Sequence, residues 1–158
     1  FSSAVGGVNL TTPFSSTELS QSMNMIARTI AARNSLNVCR QNFFVNFGGW
    51  DHHDELLNRQ NSMLTVVNNA LSEFNTAMNA LNLTNEVTTF IISDFARTLT
   101  SNGNGTDHAW GGNVLVMGGS VNGQDIYGSY PTLALNTDIE LGGGVIIPQI
   151  STDEYFAE

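Results

Sequence analysis

Apolar residues in the first third of the chain recur at helical spacing. Leu19, Met23, Ile26 and Ile30 stand four, three and four apart, so that they share one face of a helix. Ser15 and Glu18 ahead of them fit a capping box. The pattern therefore predicts an amphipathic helix to about Arg33, closed by Asn34. A longer stripe of Leu57, Leu64, Val67, Leu71, Phe74, Met78 and Leu81, opposed by Asn, Ser, Thr and Arg, predicts a second helix starting near Asp54. Elsewhere the helical period is lost. QNFFVNF at 41–47, bounded by Gly48 and Gly49, reads as a strand buried on both faces. VTTFIIS at 87–93, VLVM at 114–117 and Val145–Ile147 before Pro148 read as further strands. Residues 1–14 and the Gly/Asn stretch 101–112 read as loops, and the chain loosens into turns after Gly118 and Gly119.

Strand, long helix, strand, loop, strand is the rhythm of an α/β domain with parallel neighbours. Ligands in such sheets gather at the carboxyl ends of strands. No internal repeat or linker is visible, which predicts one domain or most of one. The ends change that picture. The chain opens FSSAVGG and closes STDEYFAE, where Ser151 or Thr152 would cap a helix whose body is missing. The expectation is a carboxyl-terminal portion of a longer chain.

Charge narrows the partners. The formal net charge is −9, lysine is absent and the five basic residues are all arginine. Nucleic acid is disfavoured, because binding its backbone needs a basic face to release counterions. No apolar run reaches the length of about 18 residues that a membrane-spanning helix needs. The single cysteine, Cys39, excludes an internal disulfide and reads as a buried or half-buried structural thiol.

The candidate chemistry lies in three clusters. The first is Gly48-Gly49-Trp50-Asp51-His52-His53-Asp54-Glu55. Asp51 and His53, two apart on a turn, can converge on one hard or borderline cation. The plainer reading makes Asp51 or Asp54 a helix cap, gives Glu55 to the helix dipole and leaves the histidines solvated. The second cluster is Ser93-Asp94-Phe95-Ala96-Arg97, with Asp94 just past a strand and Arg97 able to pair with it. The third is Gly105-Thr106-Asp107-His108 before VLVM. All three histidines stand next to, or two from, an aspartate at a predicted strand terminus. Together they point to an oxygen- and nitrogen-ligated metal site of Asp51, His53, Asp94 and either Asp107 or His108. A mononuclear site of His53, His108 and one carboxylate is a weaker variant.

Other chemistry leaves no mark. No nucleophile elbow, phosphate loop or dinucleotide fingerprint occurs. Nothing singles out Ser93, Thr98 or Thr100 as an activated nucleophile, so the catalytic residue is unassigned. The sequons at Asn9, Asn82 and Asn104 matter only in a glycosylating host.

Three stretches holding four ordered blocks carry a family resemblance: RQNFFVNFGGWDHHDEL, TTFIISDFARTLTSNGNGTDHAWGG with the glycine-rich stretch after it, and GVIIPQISTDEY. The chain resembles the DUF1501 family of exported bacterial proteins over most of residues 17–156. Typical family forms are GG(F/W)DTH, (S/T)EFGRT, GTDHGWG and IP-x-x-S-x-(D/E)-x-(Y/F). The family is distantly similar to the alkaline phosphatase and sulfatase superfamily. That similarity implies a three-layer α/β sandwich with a mostly parallel sheet, incomplete in this chain. It also implies a divalent metal (Zn, Mn or Ca) on Asp51 and His53, then Asp94, then His108 with Asp107 beside it. Phe95 stands where phosphatases commonly have histidine, which speaks against a full two-zinc centre. Asp94 replaces the family's usual Glu, and His52 its usual Thr, so His52 is expected to be solvated.

Two functions follow as expectations. One is a hydrolase-like metalloprotein, periplasmic or extracellular, acting on a phosphate or sulfate ester, with Arg97 binding the anion. In that reading the nucleophile lies upstream and the portion alone is inactive. The other is a non-catalytic envelope protein that keeps the fold.

Overall fold

Helices form close to where the apolar spacing puts them. The computed structural model describes residues 1–157, and its first helix, α1 (Ser2–Gly6), occupies part of the stretch expected to be loop. Helix α2 spans Glu18–Ala31, and its cap is Thr17, whose side chain accepts from the Ser20 amide at 3.3 Å. Ser15, the expected cap, instead binds Ser20 Oγ at 2.8 Å and donates its amide to Glu73 at 3.1 Å. A short α3 (Arg33–Leu36) follows, and Asn37 rather than Asn34 ends it in the left-handed conformation at φ 54°. Helix α4 spans Leu56–Ala80. It closes with Asn82 at φ 55° and the Leu83 amide on Met78 O at 2.9 Å, a Schellman-type ending.

The chain falls into two units. One comprises residues 1–48, 61–88 and 118–120; the other takes 49–60, 89–117 and the chain from 121 onward. The first is helical, and its core is Val5, Leu19, Ala27, Ile30, Ala32, Ala70, Phe74, Ala77, Met78 and Leu83, all buried. Within it the small side chains of Ala27, Ala70 and Ala77 are almost wholly covered. Arg28 reaches the carbonyls of Val5 and Gly6 at 3.0 and 3.2 Å and so ties α1 to α2.

The second unit holds the strands, all short. Strand β1 (Thr89–Phe90) pairs antiparallel with β4 (Val116–Met117), in the register Thr89↔Met117 and Phe90↔Val116. Strand β2 (Ala96–Ser101) pairs antiparallel with β3 (Thr106–Ala109), with Ala96↔Ala109 and Arg97↔His108 opposite one another. Helix α5 (Thr152–Ala157) is capped at Ser151, one of the two expected caps, and the bonds form a capping box: Ser151 Oγ accepts from the Glu154 amide, and Glu154 accepts from the Ser151 amide.

The chain is thus mixed α/β, and the sheet differs from expectation. No parallel pair and no three-layer sandwich occur among the described residues. Parallel neighbours need a crossover of about a dozen residues or more, whereas β2 and β3 are joined by a tight turn at 102–105 that forces antiparallel pairing. Among the described residues the run 41–47 forms no strand, and Phe44 is 81% exposed; Cys39, expected to be buried or half-buried, is exposed as well. Val145–Ile147 is reduced to a single bridge between Glu140 and Ile146. Along α4 the predicted stripe is buried only in its second half: Phe74 and Met78 are buried, while Leu57 and Leu64 face outward.

Candidate metal centre

The hairpin β2–β3 and the loop before α4 build one site. Between strands, Gly103 takes φ 119°, which the Asn-Gly dipeptides of SNGNG accommodate, and the Asn102 amide closes onto Gly105 O at 3.1 Å. Beyond the turn the ladder sets Arg97 and His108 side by side. The loop 50–53 lies along the turn. His52 and His53 donate their amides back to Trp50 O and Asp51 O at 2.9 and 3.2 Å, two consecutive tight turns. Thr106 donates to His52 O, and Leu56 donates to Asn104 O. Gly105 makes this approach possible, since a Cβ there would stand 2.4–2.6 Å from the His52 and His53 backbone.

Three side chains converge as a result. Asp51 Oδ1 lies 2.9 Å from His53 Nε2 and 2.7 Å from His108 Nε2. Together these atoms form a group lying within 4.8 Å of one another, open to solvent. Arg97 reaches the same oxygen at 2.9 Å. The bond to His108 is the largest cause holding the Asp51 carboxyl below its usual range; partial desolvation opposes it, and Arg97 and the charges of His53 and His108 add to it. The rings are stacked: Phe95 on His108 at 4.2 Å and 8°, and His53 on His108 at 5.0 Å and 29°. Arg97 lies over the other partner of that stack, 5.0 Å from the Phe95 ring centre.

The donor set suits a cation. His53 Nδ1 faces Asp107 Oδ1 at 3.1 Å while its Nε2 faces Asp51. A neutral imidazole carries one N–H, so one of these nitrogens would meet a carboxylate lone pair to lone pair. Either a second proton or a metal ion removes that conflict. Ligands held about 2.0–2.2 Å from zinc stand roughly 3.0–3.5 Å from one another, so a small outward shift of the trio would admit one.

The five sequence-predicted ligands part company here. Asp51, His53 and His108 come together; Asp107 touches His53 from behind; Asp94 is exposed and outside the group. After β1 the chain turns so that Phe95, not Asp94, lies against His108, with Ser93 Oγ donating to Phe95 O at 2.8 Å. Arg97 pairs with Asp51 rather than with Asp94. Its guanidinium also donates to Thr106 O and Trp50 O, both at 2.8 Å. Asp54, considered as a helix cap, hydrogen-bonds Asn104 instead.

His52 corrects the reading further. Expected to be solvated, it is 2% exposed, because the turn at 102–106 covers its backbone. Trp50 packs near its ring at 6.1 Å. The stretch 101–112, expected to be loop, holds the end of β2, the turn and β3, and its Asn-Gly dipeptides are the turn signal that joins two such strands.

A family model for proteins of unknown function, DUF1501, matches residues 11–140, and the chain belongs to that family. No curated protein and no solved structure matches the chain.

Proposed function

We propose that Asp51, His53 and His108 hold one divalent metal ion, of the borderline class typified by Zn or Mn, or Ca, in a hydrolase-like protein. The observation that carries this reading is the convergence of one carboxylate oxygen and two Nε2 atoms at 2.7–2.9 Å on a solvent-open face. The substrate class proposed is a phosphate or sulfate ester, met outside the cytoplasm in the periplasm or extracellular space. The three-layer sandwich that the superfamily resemblance implies belongs to the same reading, for the full-length form. An ion so placed would act as a Lewis acid on an ester oxygen and acidify a water. The chain's own groups would orient it: Asp51 supplies charge, the two imidazoles set direction, and Phe95 walls one side.

A second reading is favoured by Arg97. Its guanidinium is committed to Asp51 and two carbonyls and is largely covered, with 16% of the side chain exposed. That leaves it poorly placed to grip a substrate anion and suits a non-catalytic envelope protein with a structural or sensing metal.

Metal content of the wild-type protein beside Asp51→Asn and His108→Ala decides the site. About one equivalent in the wild type, lost in both variants, is expected. Metal retained unchanged in both would sink it. Turnover of aryl phosphate or sulfate esters that disappears with the metal selects the hydrolase; metal without turnover in the full-length protein selects the second reading.

A further inference from the structure

The side of His53 that faces away from the trio is the more constrained one. Its Nδ1 meets Asp107 Oδ1 at 3.1 Å. That oxygen also accepts from Asn102 Nδ2 at 3.2 Å, and the same amide nitrogen donates to the His53 carbonyl at 3.2 Å. Asn102 is fixed in turn, its Oδ1 accepting the amides of Gly105 and Asn104 at 2.9 and 3.4 Å. The Asp107 backbone is held by Thr98 Oγ1, which accepts its amide at 3.1 Å. One hairpin turn therefore grips His53 at ring and carbonyl. Asp107 stays outside the group whose ligand atoms lie mutually within 4.8 Å.

We infer that Asp107 is a positioning residue, held by Asn102, that fixes the Nδ1–H tautomer of His53 and so presents Nε2 as the ligand. This rests on the metal-site reading above and departs from the ligand role that the superfamily resemblance implies for Asp107 beside His108. The physical reason is geometric. The two ring nitrogens flank Cε1 but point in widely diverging directions, and a carboxylate on Nδ1 cannot also reach an ion on Nε2. An acceptor on Nδ1 orients the ring and raises the basicity of the other nitrogen, and losing such an acceptor typically costs about 10- to 100-fold in metal affinity.

The tests are zinc affinity, by competition with a chelating dye, and the tautomer of His53 in the metal-free protein, by ¹⁵N NMR at a pH where imidazole is neutral. The wild type should show the proton on Nδ1, because Asp51 Oδ1, which faces Nε2, is already engaged by Arg97 and His108. Asp107→Ala should move it to Nε2 and weaken zinc about 10- to 100-fold while keeping one equivalent at saturation. Asp107→Asn keeps an acceptor oxygen where Asn102 donates, so it should stay nearer the wild type in both readouts. Asn102→Ala, which leaves every titratable group in place, should weaken zinc in the same direction as Asp107→Ala. Loss of the whole equivalent in Asp107→Ala, as in His108→Ala, would make Asp107 a ligand and overturn the inference. So would wild-type affinity with an unchanged tautomer. A wild type that takes up no zinc overturns the site itself, an outcome distinct from a zinc-loaded wild type that Asp107→Ala leaves unchanged.

Discussion

Arg97 and His108 stand opposite each other across the β2–β3 ladder, and both reach the same oxygen of Asp51, at 2.9 and 2.7 Å. Residues directly opposite in an antiparallel pair share one face of the sheet. The ladder register thus decides that an arginine and an imidazole meet one carboxylate.

Replacing Arg97 should loosen the loop more than it changes net charge. Its guanidinium holds two carbonyls, Trp50 O and Thr106 O, besides Asp51. Arg97→Ala should cost about 1–3 kcal/mol, the range for losing hydrogen bonds to a charged group. Arg97→Lys should recover only part, since an ammonium cannot span the fork. Chemical denaturation checks both.

Gly105→Ala should be among the most damaging small changes. The added methyl would meet backbone atoms of His52 and His53 at 2.4–2.6 Å, and backbone cannot swing aside. A loss of about 1–3 kcal/mol is expected, the scale of overpacking, with weaker zinc binding alongside. Gly48→Ala, where nothing lies within 4 Å of the new atom, is the matched control and should change little. Thermal unfolding of the pair measures the contrast.

Acid should act through Glu140. Its carboxylate accepts the amides of Gly144, Asn136 and Gly142 at 2.7, 3.1 and 2.9 Å, and these bonds, Gly144 first, hold its pKa below the usual 4.5. A depressed carboxylate binds fewer protons folded than unfolded. Its contribution is therefore complete above the unfolded value and is lost as pH falls through the folded one. The Gly144 carbonyl accepts from Leu99 of β2 at 2.9 Å, so amide exchange at Leu99 should quicken, beyond the global trend, below pH 4.5. Glu140→Gln should show faster exchange at neutral pH and a flatter response to acid.

The two halves of the α4 stripe should respond unequally. Phe74→Ala empties a site 3% exposed and should cost about 3–5 kcal/mol. Leu57→Ala, at 82% exposure, should fall within about 0.5 kcal/mol of the wild type, as surface changes do. Denaturant midpoints compare them.

The sequence by itself determined what depends on neighbours along the chain. The positions of α2 and α4 follow from i, i+3, i+4 spacing, and the start of α5 from Ser151 and Glu154, whose capping box closes within four residues. Proximity of Asp51 to His53 was likewise local. Family membership was legible because its four blocks are short, ordered and rich in residues with few substitutes. Tertiary structure decided the rest. An apolar run such as QNFFVNF carries strand propensity, but propensity alone does not make a strand: the ladder has to be completed by another segment, and here the run is not a strand. Which aspartate meets which histidine depends on the hairpin register and on a glycine, 52 residues after His53, that lets two backbones touch. Asp94 and Asp107 are equally acidic in the sequence; only the turn at 102–105 brings one against an imidazole and leaves the other in water.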